Sequence, residues 1–143
     1  MEFETTVEIA APPERVWALL ADLERWPTWT ESMQSVTPVG SAPFGVGTEA
    51  TVRQPKLPST RWTVTEVESG VSFTWVAKAP GLTTSATHRL EAAGDGTRLT
   101  LGVHQAGIGA GLTAALFGKR TRQYVQMEAE GLRRAAEEAA AAG

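Results

Sequence analysis

Residues 2–10 alternate. Phe3, Thr5, Val7 and Ile9 share one parity, and Glu2, Glu4, Thr6 and Glu8 share the other, which predicts a half-buried strand. Pro12-Pro13-Glu14 then opens a helix, since proline suits the first turn and Glu14 complements the N-terminal dipole. Val16, Trp17, Leu19, Leu20 and Leu23 form its apolar face, and Asp22 is placed to cap a second, short helix. Pro27 limits that helix to about one or two turns. Thr37–Gly47, with two prolines and three glycines, reads as a loop.

From Thr48 to His104 the pattern is a meander of antiparallel strands. Thr48–Gln54, Arg61–Val67, Val71–Lys78, Thr83–Ala92 and Thr97–His104 are rich in Thr, Val and Trp. Glu68-Ser69-Gly70 and Asp95-Gly96 are the expected hairpin turns, and Pro80-Gly81 separates two more strands. Two prolines within Gln54–Ser59 make that connection irregular. From about Ala110 to Ala140 the composition turns to Ala, Leu, Glu, Arg and Gln, which predicts one long helix. Gly107, Gly109 and Gly111 loosen its start and suggest a flexible portal, and Ala139–Gly143 is expected to fray. The order implies an α+β fold. A strongly curved sheet of six to seven strands wraps the last helix, with two short helices after strand 1 and a central apolar cavity.

Composition narrows the chemistry. A chain of 143 residues predicts a single domain spanning 1–143, large enough to bury about 70% of its unfolded surface. Without cysteine there are no disulfides, thiolate metal sites or thiol nucleophiles. A net charge of −3 argues against nucleic acid as the main partner. Only two of sixteen acids are Asp, which supplies metal or phosphoryl-transfer chemistry poorly, and no metal and no cofactor is expected. Five Trp and four Phe supply apolar contact well. Met1-Glu2-Phe3-Glu4 lacks the basic start of a secretory signal, and no stretch nears the roughly 18 apolar residues of a spanning helix. The cytoplasm is the expected location, without stable membrane insertion, as monomer or homodimer.

Two stretches carry a resemblance. Val7-Glu8-Ile9-Ala10-Ala11-Pro12-Pro13-Glu14-Arg15-Val16-Trp17, followed by Asp22-Leu23-Glu24-Arg25-Trp26-Pro27-Thr28-Trp29, resembles the opening of START-like helix-grip proteins. The likeness is to the polyketide cyclase/dehydrase branch of the SRPBCC superfamily. Thr87-His88-Arg89-Leu90, Gly94-Asp95-Gly96-Thr97-Arg98 and Met127-Glu128-Ala129-Glu130-Gly131-Leu132-Arg133-Arg134 fit in the same order. The resemblance implies a helix-grip fold around one apolar cavity. It also implies ligand carriers, hormone receptors, aromatase/cyclases, hydroxylase domains or chaperone activators as functional classes, among which fold alone does not choose.

Three polar residues interrupt the apolar faces. His88 shares parity with Ala86 and Leu90, so it is either a core histidine bonded to a carbonyl or a general base in the cavity. At 100° per residue Phe117, Thr121, Tyr124, Glu128, Leu132 and Ala135 form one face of the long helix. Glu128 in that stripe demands a partner such as Arg53 or His88. It is either a structural anchor or a group that meets a ligand, and Tyr124 either packs or presents its hydroxyl. The tentative catalytic set is therefore His88, Glu128 and Tyr124. His104, opposite Leu99, Leu101 and Val103, reads as surface, and Lys119, Arg120, Arg122, Arg133 and Arg134 as a solvated face. The expected cavity wall comprises Trp26, Trp29 and Met33 at a rim, then Trp62, Phe73, Trp75, Ala86, His88 and Leu101 on strands. Leu112, Leu116, Phe117, Tyr124 and Glu128 complete it on the helix. A small hydrophobic ligand, cyclic, aromatic or acyl, is the expected partner. A cofactor-free cyclase/dehydrase is the enzymatic alternative, and a protein-interaction module with a filled interior the third.

Overall fold

Alternating β-branched and aromatic residues form seven antiparallel strands in one sheet of order β1-β7-β6-β5-β4-β3-β2. They are β1 (Glu2–Ile9), β2 (Ser35–Pro38), β3 (Glu49–Arg53), β4 (Thr60–Glu68), β5 (Ser72–Ala79), β6 (Leu82–Ala93) and β7 (Gly96–Ala106). Helix α1 (Pro13–Ala21) and a 3-10 helix (Leu23–Thr28) follow β1, and α2 (Ala110–Ala142) closes the chain. The computed structural model describes residues 1–142; Gly143, part of the tail expected to fray, lies outside the described residues. The sheet curves around α2 in the α+β helix-grip arrangement that the residue order implies.

Four local expectations are corrected. The segment read as a loop from Thr37 contains the end of β2, whose Pro38 pairs with Ala50. A proline is tolerated there because β2 is an edge strand of four residues. Asp22 makes no side-chain cap; its carbonyl instead accepts from the Arg25 N–H at 3.1 Å. The β6–β7 turn is Gly94-Asp95, not Asp95-Gly96: Ala93 pairs with Gly96, and Gly94 takes the positive φ of +61° that a two-residue hairpin needs. The glycines before α2 form a packed joint. Gly109 N–H donates to the Gly81 carbonyl at 2.8 Å, and Gly107, at φ +113°, leaves no room for a Cβ beside the same oxygen.

The two halves of α2 have different surroundings. Ala129, Leu132 and Ala136 in the C-terminal half are fully buried, and a leucine so buried contributes about 2–3 kcal/mol. Arg15 Nη1 donates to the Ala139 carbonyl and Ala10 N–H to Glu137 Oε2, both at 2.9 Å, so the alanine-rich end is tied to α1 and β1. The N-terminal half lies over the sheet with Thr113, Phe117, Thr121 and Tyr124 facing a cavity.

Candidate functional site

His88 occupies the middle of β6, where its parity turns it inward, and it is 3% exposed. Its ring stacks on Phe73, with centroids 4.0 Å apart and planes at 9°, and Trp26 and Trp75 present further ring contacts. Nδ1 lies 3.2 Å from the Phe73 carbonyl. A carbonyl only accepts, so Nδ1 carries a proton. Nε2 then faces Glu128 Oε1 at 3.4 Å. That gap suits an ion pair but holds no aligned hydrogen bond, and Oε1 is buried without a hydrogen-bond partner. The buried carboxylate found its partner in His88; Arg53, the alternative, is exposed.

These two residues line a cavity of about 430 Å3 between the sheet and α2. Of the residues expected on its wall, Met33, Trp62, Trp75, Ala86, His88, Leu101, Phe117, Tyr124 and Glu128 do line it. Trp26, Trp29, Phe73, Leu112 and Leu116 do not. Trp26 is fully buried, with Nε1 donating to the Leu20 carbonyl at 2.9 Å, and Trp29 packs beside it. Phe73 has the same parity as Trp75, yet Trp17, Trp26 and Phe44 cover it, so α1 and the 3-10 helix fill that end of the fold. Leu112 and Leu116 are 68% and 65% exposed. They lie off the cavity stripe, which begins at Thr113, four residues before Phe117.

Sequence reasoning missed Gln105, Thr84 and Val103, which line the cavity further along β6 and β7. The signal was present, since Gln105 continues the inward parity of Leu101 and Val103. It also missed the β3–β4 connection, where Leu57, Pro58 and Ser59 reach the cavity. No periodicity marks that segment, which turns through Lys56 at φ +62°.

Tyr124 lines the cavity, but its hydroxyl donates to the Pro55 carbonyl. The group expected to handle a proton instead holds the β3–β4 connection across one side of the cavity. Tyr124→Phe is therefore expected to speed trypsin cleavage after Lys56 several-fold while lowering stability by only about 1 kcal/mol. An unchanged cleavage rate would contradict the latch.

His104 is exposed, with Nδ1 2.8 Å from Glu2 Oε1. On the outer face of α2 a hydrogen bond from Arg133 holds the Glu130 carboxyl below its ordinary range, and Arg133 also meets Glu137 at 3.3 Å. Among the described residues no cluster of three or more His, Asp or Glu is arranged to hold a metal. No helix of the described residues is long and apolar enough to cross a membrane.

A family model described as polyketide cyclase / dehydrase and lipid transport matches residues 1–137. The chain belongs to this family. Uncharacterized proteins of Mycobacterium tuberculosis and Mycobacterium bovis are 41% identical to it over 46 residues, 32% of this chain. The match spans 28% of the length of those relatives. Among solved structures, a Thermus thermophilus protein, TTHA0849, superposes with a TM-score of 0.77 at 23% identity, covering 97% of this chain and 99% of that one. Ara h 8.0201 gives 0.74 at 18% identity, covering 95% and 97%. A hypothetical protein of Helicobacter pylori gives 0.78 at 16%, covering 94% and 86%. At these identities the structures share the helix-grip fold of the polyketide cyclase/dehydrase and lipid-transport family, and that fold is compatible with ligand binding in general.

Proposed function

We propose that this family member binds a small, ring-bearing hydrophobic ligand in the cavity between the sheet and α2. The observation that carries the reading is the cavity itself: about 430 Å3, walled by Trp62, Trp75, Leu101, Val103 and Phe117, with His88 and Glu128 at one buried point. Cavities that hold small molecules combine such apolar walls with a few placed polar groups. Biphenyl, titrated into the protein with tryptophan fluorescence and calorimetry as readouts, is expected to bind saturably at one site and raise the thermal midpoint. Absence of saturable binding by biphenyl sinks this reading.

A cyclase/dehydrase-type activity is the second reading, favoured by one observation. His88 and Glu128 sit side by side in the cavity, where together they can give and take a proton beside a bound chain. Tyr124 has no part in this version, because its hydroxyl is committed to Pro55. The interaction-module alternative calls for a filled interior. The hollow one weighs against it, although Ile108, Leu112 and Leu116 are exposed.

A further inference from the structure

Among the described residues, two oxygens on cavity-lining side chains are buried without hydrogen-bond partners, Glu128 Oε1 and Gln105 Oε1. Leaving a buried acceptor empty costs free energy, so each such atom marks a place where a donor belongs. Glu128 Oε1 faces His88 at 3.4 Å, and Gln105 spends Nε2 on Thr84 Oγ1 at 3.5 Å, leaving its amide oxygen unfilled.

Strand register sets the spacing of the residues beside these points. His88 pairs with Leu101, and Thr84 pairs with Gln105, four residues further along β7. Four strand residues span about 13 Å. Trp75, Ala86 and Val103 lie between the two points and offer no charge.

Resting on the binding reading above, we propose that the ligand is a rigid, apolar, two-ended molecule with one hydroxyl at each end. One hydroxyl donates to Glu128 beside His88, and the other meets the Gln105 amide beside Thr84. A hydrogen bond of about 2.8 Å at each end leaves roughly 7–8 Å between the ligand's own oxygens where both bonds lie along the span, and roughly 10 Å where both approach it obliquely. A hydroxyl suits both points because it donates to a carboxylate or an amide oxygen and also accepts from an amide nitrogen.

Four probes of nearly equal size separate distance from polarity: biphenyl, 4-hydroxybiphenyl, 4,4′-dihydroxybiphenyl and 2,2′-dihydroxybiphenyl. Calorimetry should rank the 4,4′ diol tightest, about tenfold or more above biphenyl, while the 2,2′ diol binds no better than 4-hydroxybiphenyl. Gln105→Leu should bring the 4,4′ diol down to the level of 4-hydroxybiphenyl. Glu128→Leu should likewise bring the 4,4′ diol down to the level of 4-hydroxybiphenyl, which can turn end for end to meet Gln105. If the two diols bind alike, or if Gln105→Leu leaves the 4,4′ preference intact, the two-ended ligand is wrong while the cavity reading stands. If biphenyl itself does not bind, both fall together.

Discussion

Replacing Gly131 by alanine is expected to lower the thermal midpoint by about 7 °C, the reverse of what helix propensity predicts. Alanine is favoured over glycine inside a helix by about 1 kcal/mol. At position 131, however, a Cβ would overlap the carbonyl oxygen of Trp29, where α2 runs against the segment after the 3-10 helix. That obstacle is backbone, not the far end of a flexible side chain, so relief requires α2 to move. Overpacking of this kind costs roughly 1–3 kcal/mol and occasionally more. With the propensity gain subtracted from the upper end of that range, a net loss of about 2 kcal/mol corresponds to about 7 °C for a chain of this size. Gly118→Ala in the same helix is the control: its Cβ would meet side-chain atoms at ordinary contact distance, the nearest being the Met1 sulfur at 3.4 Å, so the midpoint should hold or rise. Because Glu128 lies one turn before Gly131, the same change should push the carboxylate away from His88. Scanning calorimetry on the two variants decides the matter; equal midpoints would contradict the close approach.

The second large effect is an asymmetry within the buried pair. His88→Leu is expected to destabilise by roughly 3–5 kcal/mol, since it strands the Glu128 carboxylate in an apolar site and removes the bond to the Phe73 carbonyl. Glu128→Leu should cost no more than about 1 kcal/mol. The imidazole it leaves behind keeps its Nδ1 proton on Phe73 and needs no countercharge, while leucine fits the apolar face of α2. The double variant should recover most of the loss from His88→Leu, as expected when a buried pair is exchanged for apolar groups. Urea unfolding of the three variants measures this. Similar losses for both single variants would mean that the pair acts as a simple ion pair rather than as a carboxylate dependent on a histidine.

Much of this architecture was legible in the residues, and the exceptions have physical causes. The parity of β1 and β6, the turn glycines and the composition of α2 led to the right elements because each is a local property. Parity also turned His88 inward, and helical spacing put Glu128 on the inner face, so their meeting followed from two short-range rules. What failed was the placing of large apolar residues. Parity tells which face a side chain occupies, but not whether α1 or empty space lies above it. Phe73 and Trp75 share a face and differ only in that cover. Leu112 and Leu116 look like wall residues by hydrophobicity, whereas spacing selects Thr113 and Phe117. The fate of the Tyr124 hydroxyl depended on an irregular connection with no period to read.

The cavity, not the outer surface, is expected to hold the ligand. Ala86 lies on its wall between Trp75 and Val103, so Ala86→Phe fills the space without touching the outside. The most direct measurement is calorimetric titration of biphenyl into the parent and into this variant, with circular dichroism confirming that both are folded. One saturable site is expected in the parent, with at least a tenfold loss of affinity in the filled variant. Undiminished binding by a folded Ala86→Phe protein would contradict it.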